Sequence, residues 1–415
     1  MLPPVLEIYI VWHPSDRAGE NIGEEIIRHF RGSAFTGLIG GAVEVLVRSQ
    51  GWAGGADAPR PIPTSSRPQP NGIPCARYTA IVPLCGTELA ASVEAGSPWR
   101  GYAEAIVEAQ REHPATVGIF PYLLAGGALS GTVLGGLFGA YQAFAAGATD
   151  APHDTAQNLR CRDLTQSLAQ FLSPEQNPRV TAFISHTKYS AAAEVGDVKE
   201  LVALVREVIA NTHLAAFFDA SDLQPGTDWS AELVANAATS ALLALRTDLY
   251  PSRVWCQREM LTAKRNGMPV IIVDGIGYAE ERGSFLMDHV PRAPIHVDDG
   301  RWRRRDVYRA LDLLVDECLK RELWRCQREL AGPRDDLKVS WWAPHAPEPL
   351  TLIQWLEEAR AGGSLPAGTE PLRIIHPDPP LGTDEAVVLQ QIARFGGVTG
   401  NLDVMTPRQL AGRGG

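Results

Sequence analysis

Between residues 179 and 274 short β-rich runs alternate with helical stretches, and that alternation limits the fold more than any other feature. Arg179 to His186 is a strand ending in polar residues. From Val198 to Ala210, Leu201, Leu204, Val205 and Val208 recur at helical spacing. Ala215 to Asp219 is a second strand, opening into a loop over 220–229 punctuated by Pro225-Gly226. Ala241 to Leu245 and Met268 to Asp274 are a third and a fourth strand. Strands separated by helices cannot pair through tight hairpins, so the pattern predicts a parallel sheet covered on both faces, an α/β fold.

The helix between the third and fourth strands carries the most distinctive local pattern. Trp255-Cys256-Gln257-Arg258-Glu259 follows Tyr250-Pro251-Ser252-Arg253-Val254. A helix capped by Ser252 places the indole of Trp255 and the carboxylate of Glu259 on one face, because positions four apart are neighbours there. A structural reading stands beside this one, in which Trp255 and Cys256 are core and Glu259 is a solvated helix residue.

Three motifs in register point to a family. The opening strand ends in Phe183-Ile184-Ser185-His186. Phe217, Asp219, Asp222-Leu223, Pro225-Gly226 and Trp229 mark the next loop, and Ser252, Trp255-Cys256 and Glu259 follow. Residues 178–300, under a third of the chain, thereby resemble a Toll/interleukin-1 receptor (TIR) domain. The resemblance implies a flavodoxin-like parallel sheet. It also implies cleavage of the bond between nicotinamide and ribose in NAD+, which is substrate rather than cofactor. Glu259 takes the catalytic position. Trp255, Phe183, Ser185 and His186 line the crevice, Asp219 sits at its edge, and Gly226 belongs to a gating loop. Some active members carry basic residues after the first strand. Here Thr187 and Lys188 follow His186, which leaves Lys188 as the candidate for a phosphate contact. The resemblance further implies activation by self-association into a homo-oligomer, as in bacterial defence or stress effectors. A non-enzymatic TIR module that recruits other proteins is the alternative.

Residues 1–150 read as a second, altered copy of this architecture. Leu6 to His13 is a strand ending in histidine, Glu20 to Phe30 is helical, and Val43 to Val47 and Tyr78 to Leu84 are further strands. A helix opens at Trp99, but the position four residues on is Ala103, so this degenerate TIR-like copy is expected to be catalytically silent.

From Pro114 to Thr149 there is no charged side chain, and Gly127, Gly131, Gly135 and Gly139 recur every four residues. On one helix these would form a small-residue stripe of the kind found between membrane helices. The competing reading is a buried strand at Thr116 to Phe120 followed by a Gly/Ala-rich connection. A helical linker over 151–177 then leads to the TIR-like region. A long helix from Trp302 to Leu330 closes that region. Residues 331–415 alternate again and form either a small α/β unit or an extension of the same sheet, with a disordered tail from Ala411.

A formal charge of −10 argues against a nucleic-acid footprint. The six cysteines form no Cys-x-x-Cys pair, so no metal site or redox motif is signalled and a reduced, cytoplasmic setting is expected. The first residues, Met1 to Val5, lack the basic region and apolar core of a signal peptide.

Overall fold

A computed structural model describes residues 4–32, 34–35, 42–51, 57–64, 75–145, 153–173, 180–188, 196–212, 214–218, 237–280, 282–331, 338–365 and 370–413. The fold is mixed α/β with parallel sheets. It divides into two compact units: residues 1–164 with 329–331, and residues 165–328 with 332–415.

The first unit contains β1 (Leu6–Val11), α1 (Arg17–Phe30), β2 (Val43–Arg48), β3 (Tyr78–Cys85), α2 (Thr87–Glu94), α3 (Pro98–Glu112), β4 (Val117–Ile119), β5 (Tyr122–Leu123), α4 (Val133–Phe138) and β6 (Phe144–Ala145). α5 (His153–Leu172) begins in this unit and crosses the division between the two. The sheet order is β2-β1-β3-β5-β6, with β4 also on β3, and every pairing is parallel. β4 and β5 occupy one lane beside β3, interrupted at Phe120-Pro121 because proline has no N–H for the ladder. α1 lies close against Trp12: a Cβ at Gly19 would sit 2.9 Å from that side chain, so glycine sets the approach. On the other face Ile81, Cys85, Trp99, Tyr102 and Ile106 build the core under α3.

The glycine row does not line one helix. Gly131 is in a left-handed turn (φ +69°), Gly135 lies inside the six-residue α4, and Gly139 follows its end. A Cβ at Gly135 would lie 1.8 Å from the Leu129 carbonyl oxygen, so close backbone packing accounts for that glycine. Among the described residues no helix is long and apolar enough to cross a membrane.

The second unit contains β7 (Thr181–Ser185), α6 (Val198–Ala210), β8 (Ala215–Phe218), β9 (Ala241–Arg246), α7 (Val254–Arg265), β10 (Val270–Asp274) and β11 (Arg292–Pro294). A short antiparallel pair, β12 (Val297–Asp298) and β13 (Arg301–Trp302), leads into α8 (Arg304–Ala331). β14 (Trp341–Trp342), α9 (Pro349–Ala361), β15 (Leu372–Ile375), α10 (Thr383–Phe395), β16 (Leu402–Met405) and α11 (Pro407–Arg413) complete it. The main sheet runs β11-β10-β9-β7-β8, all parallel. Counted within the unit from the β8 end, that order is second, first, third, fourth, fifth, and the first unit repeats it when β4 and β5 count as one lane. The last three strands form a separate parallel sheet rather than extending the first.

Several elements differ from the sequence expectations. β11 and α2 have no clear sequence signature. Trp302 belongs to β13 rather than to the long helix: its indole N–H donates to the Asp197 carbonyl at 3.0 Å and pins the start of α6. The Arg301–Arg305 run is met by carboxylates, Arg303 by Asp298 (2.6 Å) and Arg304 by Glu207 (2.6 Å). The expected disordered tail instead begins within α11, which continues to Arg413.

α7 is tied at its far end by a buried ion pair. Lys264 donates to Glu348 at 3.0 Å and to the Asp288 carbonyl at 2.7 Å, and both charged side chains are nearly fully buried. Lys264→Met alone leaves a buried carboxylate without its partner and should cost about 3–5 kcal/mol. Lys264→Met with Glu348→Leu should recover most of that loss. Chemical denaturation of the two single variants and the double variant measures it; additive costs would show that the pair is not coupled.

Candidate functional site

In the second unit the chain turns back on opposite sides of β7 and β9, and ligands in open parallel sheets bind beyond the carboxyl ends of the strands at such a reversal. Ser185 is the last residue of β7 and its side chain emerges at this edge. β9 ends at Arg246, and the chain then makes a 3-10 turn over Tyr250–Ser252 before α7 begins. These elements bring three polar side chains together.

Glu259, 7% exposed, accepts a hydrogen bond of 2.5 Å from the Ser185 hydroxyl at Oε2. The Tyr250 hydroxyl lies 2.6 Å from the same serine oxygen. A serine has one proton, and with that proton given to the carboxylate, Tyr250 must be the donor to Ser185. The result is a relay, Tyr250 to Ser185 to Glu259, with every proton directed at the carboxylate. Burial pushes the Tyr250 hydroxyl well above its ordinary range, with the nearby Glu259 carboxylate adding to it, so it stays a donor. Burial followed by the Glu259 charge pushes the Cys256 thiol up to about 12, so at neutral pH it is a packed thiol and no nucleophile. Its Sγ donates to the His186 carbonyl at 3.6 Å.

The described residues among those predicted take different places. Phe183 is fully buried in the core with Leu242, Ala244 and Met260, and it supports the edge from beneath rather than lining it. His186, half-buried, has Nδ1 2.8 Å from the Thr187 carbonyl oxygen. Lys188 is exposed. Trp255 is half-buried, and one face of its indole is covered by the Arg258 guanidinium at 4.7 Å. Asp219 and Gly226 lie outside the described residues. Ser252 is not the helix cap: it belongs to the 3-10 turn, its hydroxyl donates to the Leu249 carbonyl at 2.8 Å, and Arg253 is the N-cap residue.

Two features at this edge lack a sequence motif. Tyr250 is one; its position just before the Trp-Cys motif, in an apolar setting, is the only hint. The other is the set of ties that holds the β9 and β10 ends. The Asp248 carboxylate accepts from the backbone N–H groups of Gly277, Tyr278 and Ala279, the shortest at 2.8 Å. Arg246 forms a two-pronged pair with Glu280 at 2.5 and 2.7 Å. Between them Thr247 is fully buried, and its hydroxyl has no partner among the described residues.

Tyr250→Phe removes only the first donor of the relay. It should cost about 1–2 kcal/mol in stability, because the Ser185 oxygen loses its buried partner. Thermal unfolding measures this, and a change within error would show that the Tyr250–Ser185 contact contributes nothing.

No protein-family model, curated protein or solved structure matches this chain.

Proposed function

We propose that the second unit is a TIR-like domain that cleaves NAD+ to nicotinamide and ADP-ribose, or to a cyclised form of it, with Glu259 as the catalytic carboxylate. The observation that carries the reading is a buried glutamate at the strand reversal of a parallel sheet, oriented by a serine at the end of the first strand. Nicotinamide leaves as a neutral ring while positive charge develops on the ribose. A carboxylate in a poorly solvated site stabilises that charge far more than it would in water. It also accepts hydrogen bonds from the ribose hydroxyls. The Ser185 bond holds the carboxylate in one rotamer, so little reorganisation is needed when charge develops. Stacking of nicotinamide on Trp255 requires the indole face opposite Arg258, or displacement of that guanidinium. Lys188, exposed just after His186, is positioned in sequence for the pyrophosphate.

Self-association is part of this proposal, since an enzyme that destroys NAD+ must be silent at rest. Tyr278 is 80% exposed and Phe285 73% exposed, both beyond β10. The same two residues favour the second reading, a non-enzymatic interaction module, because exposed aromatic side chains are enriched where proteins associate.

The deciding experiment incubates concentrated full-length protein with NAD+ and a crowding agent and follows nicotinamide release by chromatography. Glu259→Gln should lower release by at least about 100-fold. Ser185→Ala, which loses one hydrogen bond to the carboxylate, should lower it about tenfold. Equal release from native protein and Glu259→Gln would remove Glu259 from catalysis. Release from neither, with association intact, would favour the interaction module.

A further inference from the structure

The first unit repeats the strand order of the second, and the carboxyl edge of its sheet buries a different set of polar groups. Between the third and fourth strands lie α7 in the second unit and α2 and α3 in the first. α7 buries Cys256 and Glu259, three residues apart; α3 buries Trp99 and Tyr102, with the same spacing. The Tyr102 oxygen is buried and has no partner among the described residues.

A buried cation accompanies it. Arg48 is the last residue of β2, beside Val11 in the parallel register, and is 5% exposed. Its guanidinium lies over the Tyr9 ring, 4.8 Å from the centroid. Nη1 donates to the Val47 carbonyl at 2.9 Å, while Nε is buried without a partner. No carboxylate among the described residues reaches it at ion-pair distance. Glu7, whose charge acts on it, accepts the Tyr9 hydroxyl at 2.8 Å, and burial pushes its carboxyl above the usual range. A second guanidinium, Arg60, adds its positive charge to both Arg48 and Tyr102.

Burying a guanidinium without a carboxylate costs several kcal/mol, and placing a second one beside it raises the cost. The two unused groups, Arg48 Nε and the Tyr102 hydroxyl, can both donate, and the guanidinium charge opposes a metal ion. What satisfies them is an anion with several oxygen acceptors, and a guanidinium fork with an adjacent hydroxyl matches phosphate geometry.

We propose that the first unit binds a phosphate group, free or carried on a small metabolite, at the carboxyl edge of its sheet through Arg48, Tyr102 and Arg60. This site does not depend on the reading of Glu259, which lies in the other unit.

Isothermal titration of the full chain with inorganic phosphate and with ribose 5-phosphate, at constant ionic strength, tests the proposal. One saturable site per chain is expected. Tighter binding of the sugar phosphate would assign an esterified ligand, and equal binding the free anion. Arg48→Met should weaken binding at least about tenfold, since a charge-assisted pair is lost. In phosphate-free buffer this variant should unfold no earlier than the native protein, because the unpaired buried charge is gone. Tyr102→Phe keeps the shape of the core and should weaken binding about threefold or more. It decides the matter if Arg48→Met does not fold. Absence of saturable binding of either probe, or an unchanged isotherm in Tyr102→Phe or a folded Arg48→Met, would overturn the proposal.

Discussion

Parallel pairing is the constraint on which the rest of the structure depends. Two parallel strands cannot be joined by a tight turn, so each connection must cross a face of the sheet and return to the starting edge. Every strand then ends at the same edge, and where successive crossovers go to opposite sides a crevice opens between the strand ends. In the second unit that reversal lies between β7 and β9. Ser185, Tyr250 and the buried face of α7 meet there because topology delivers them. Their separations in sequence, 65 and 74 residues from Ser185, would otherwise make the meeting improbable.

A carboxylate at such an edge is costly to bury and is tolerated only when its lone pairs are met. Ser185 meets one of them, and Tyr250 in turn meets Ser185. Five residues beyond Glu259 on the same helix, Lys264 is fixed to Glu348 and the Asp288 carbonyl. α7 is therefore held by a polar tie on each side of its buried face, and apolar contacts of Met260 and Ala263 fill the space between. That arrangement suits a group that must present charge without moving. The first unit uses the same scaffold differently: at the end of β2 it buries an arginine whose Nε has no partner among the described residues.

The legible part of this protein follows from periodicity. Apolar residues at helical spacing located α6 and α8, and the β-rich runs at Thr181–Ser185 and Val270–Asp274 stood out because buried parallel strands are nearly continuous apolar stretches. β11, three residues of Arg-Ala-Pro, carries no such pattern: an edge strand pairs through its backbone, and its side chains need not be apolar. Ser252 looked like a cap, but the 3-10 turn consumed its hydroxyl locally and shifted the start of α7 to Val254. The four-residue glycine spacing suggested one helical stripe. Positive φ at Gly131 and the close backbone approach at Gly135 account for two of those glycines in another way.

By itself, the sequence determined that strands and helices alternate, that the sheets are parallel, and that Glu259 and Trp255 share one helix, because these are local matters of side-chain period and residue type. Only the tertiary structure decided which groups face Glu259. Ser185 and Tyr250 reach it because strand order places β7 beside β9, and strand order depends on long-range pairing that no local pattern encodes. The same holds in the first unit. Arg48 is an ordinary basic residue in the chain, and it becomes a buried cation with an unused donor only when β2 pairs with β1 and sets its guanidinium over Tyr9.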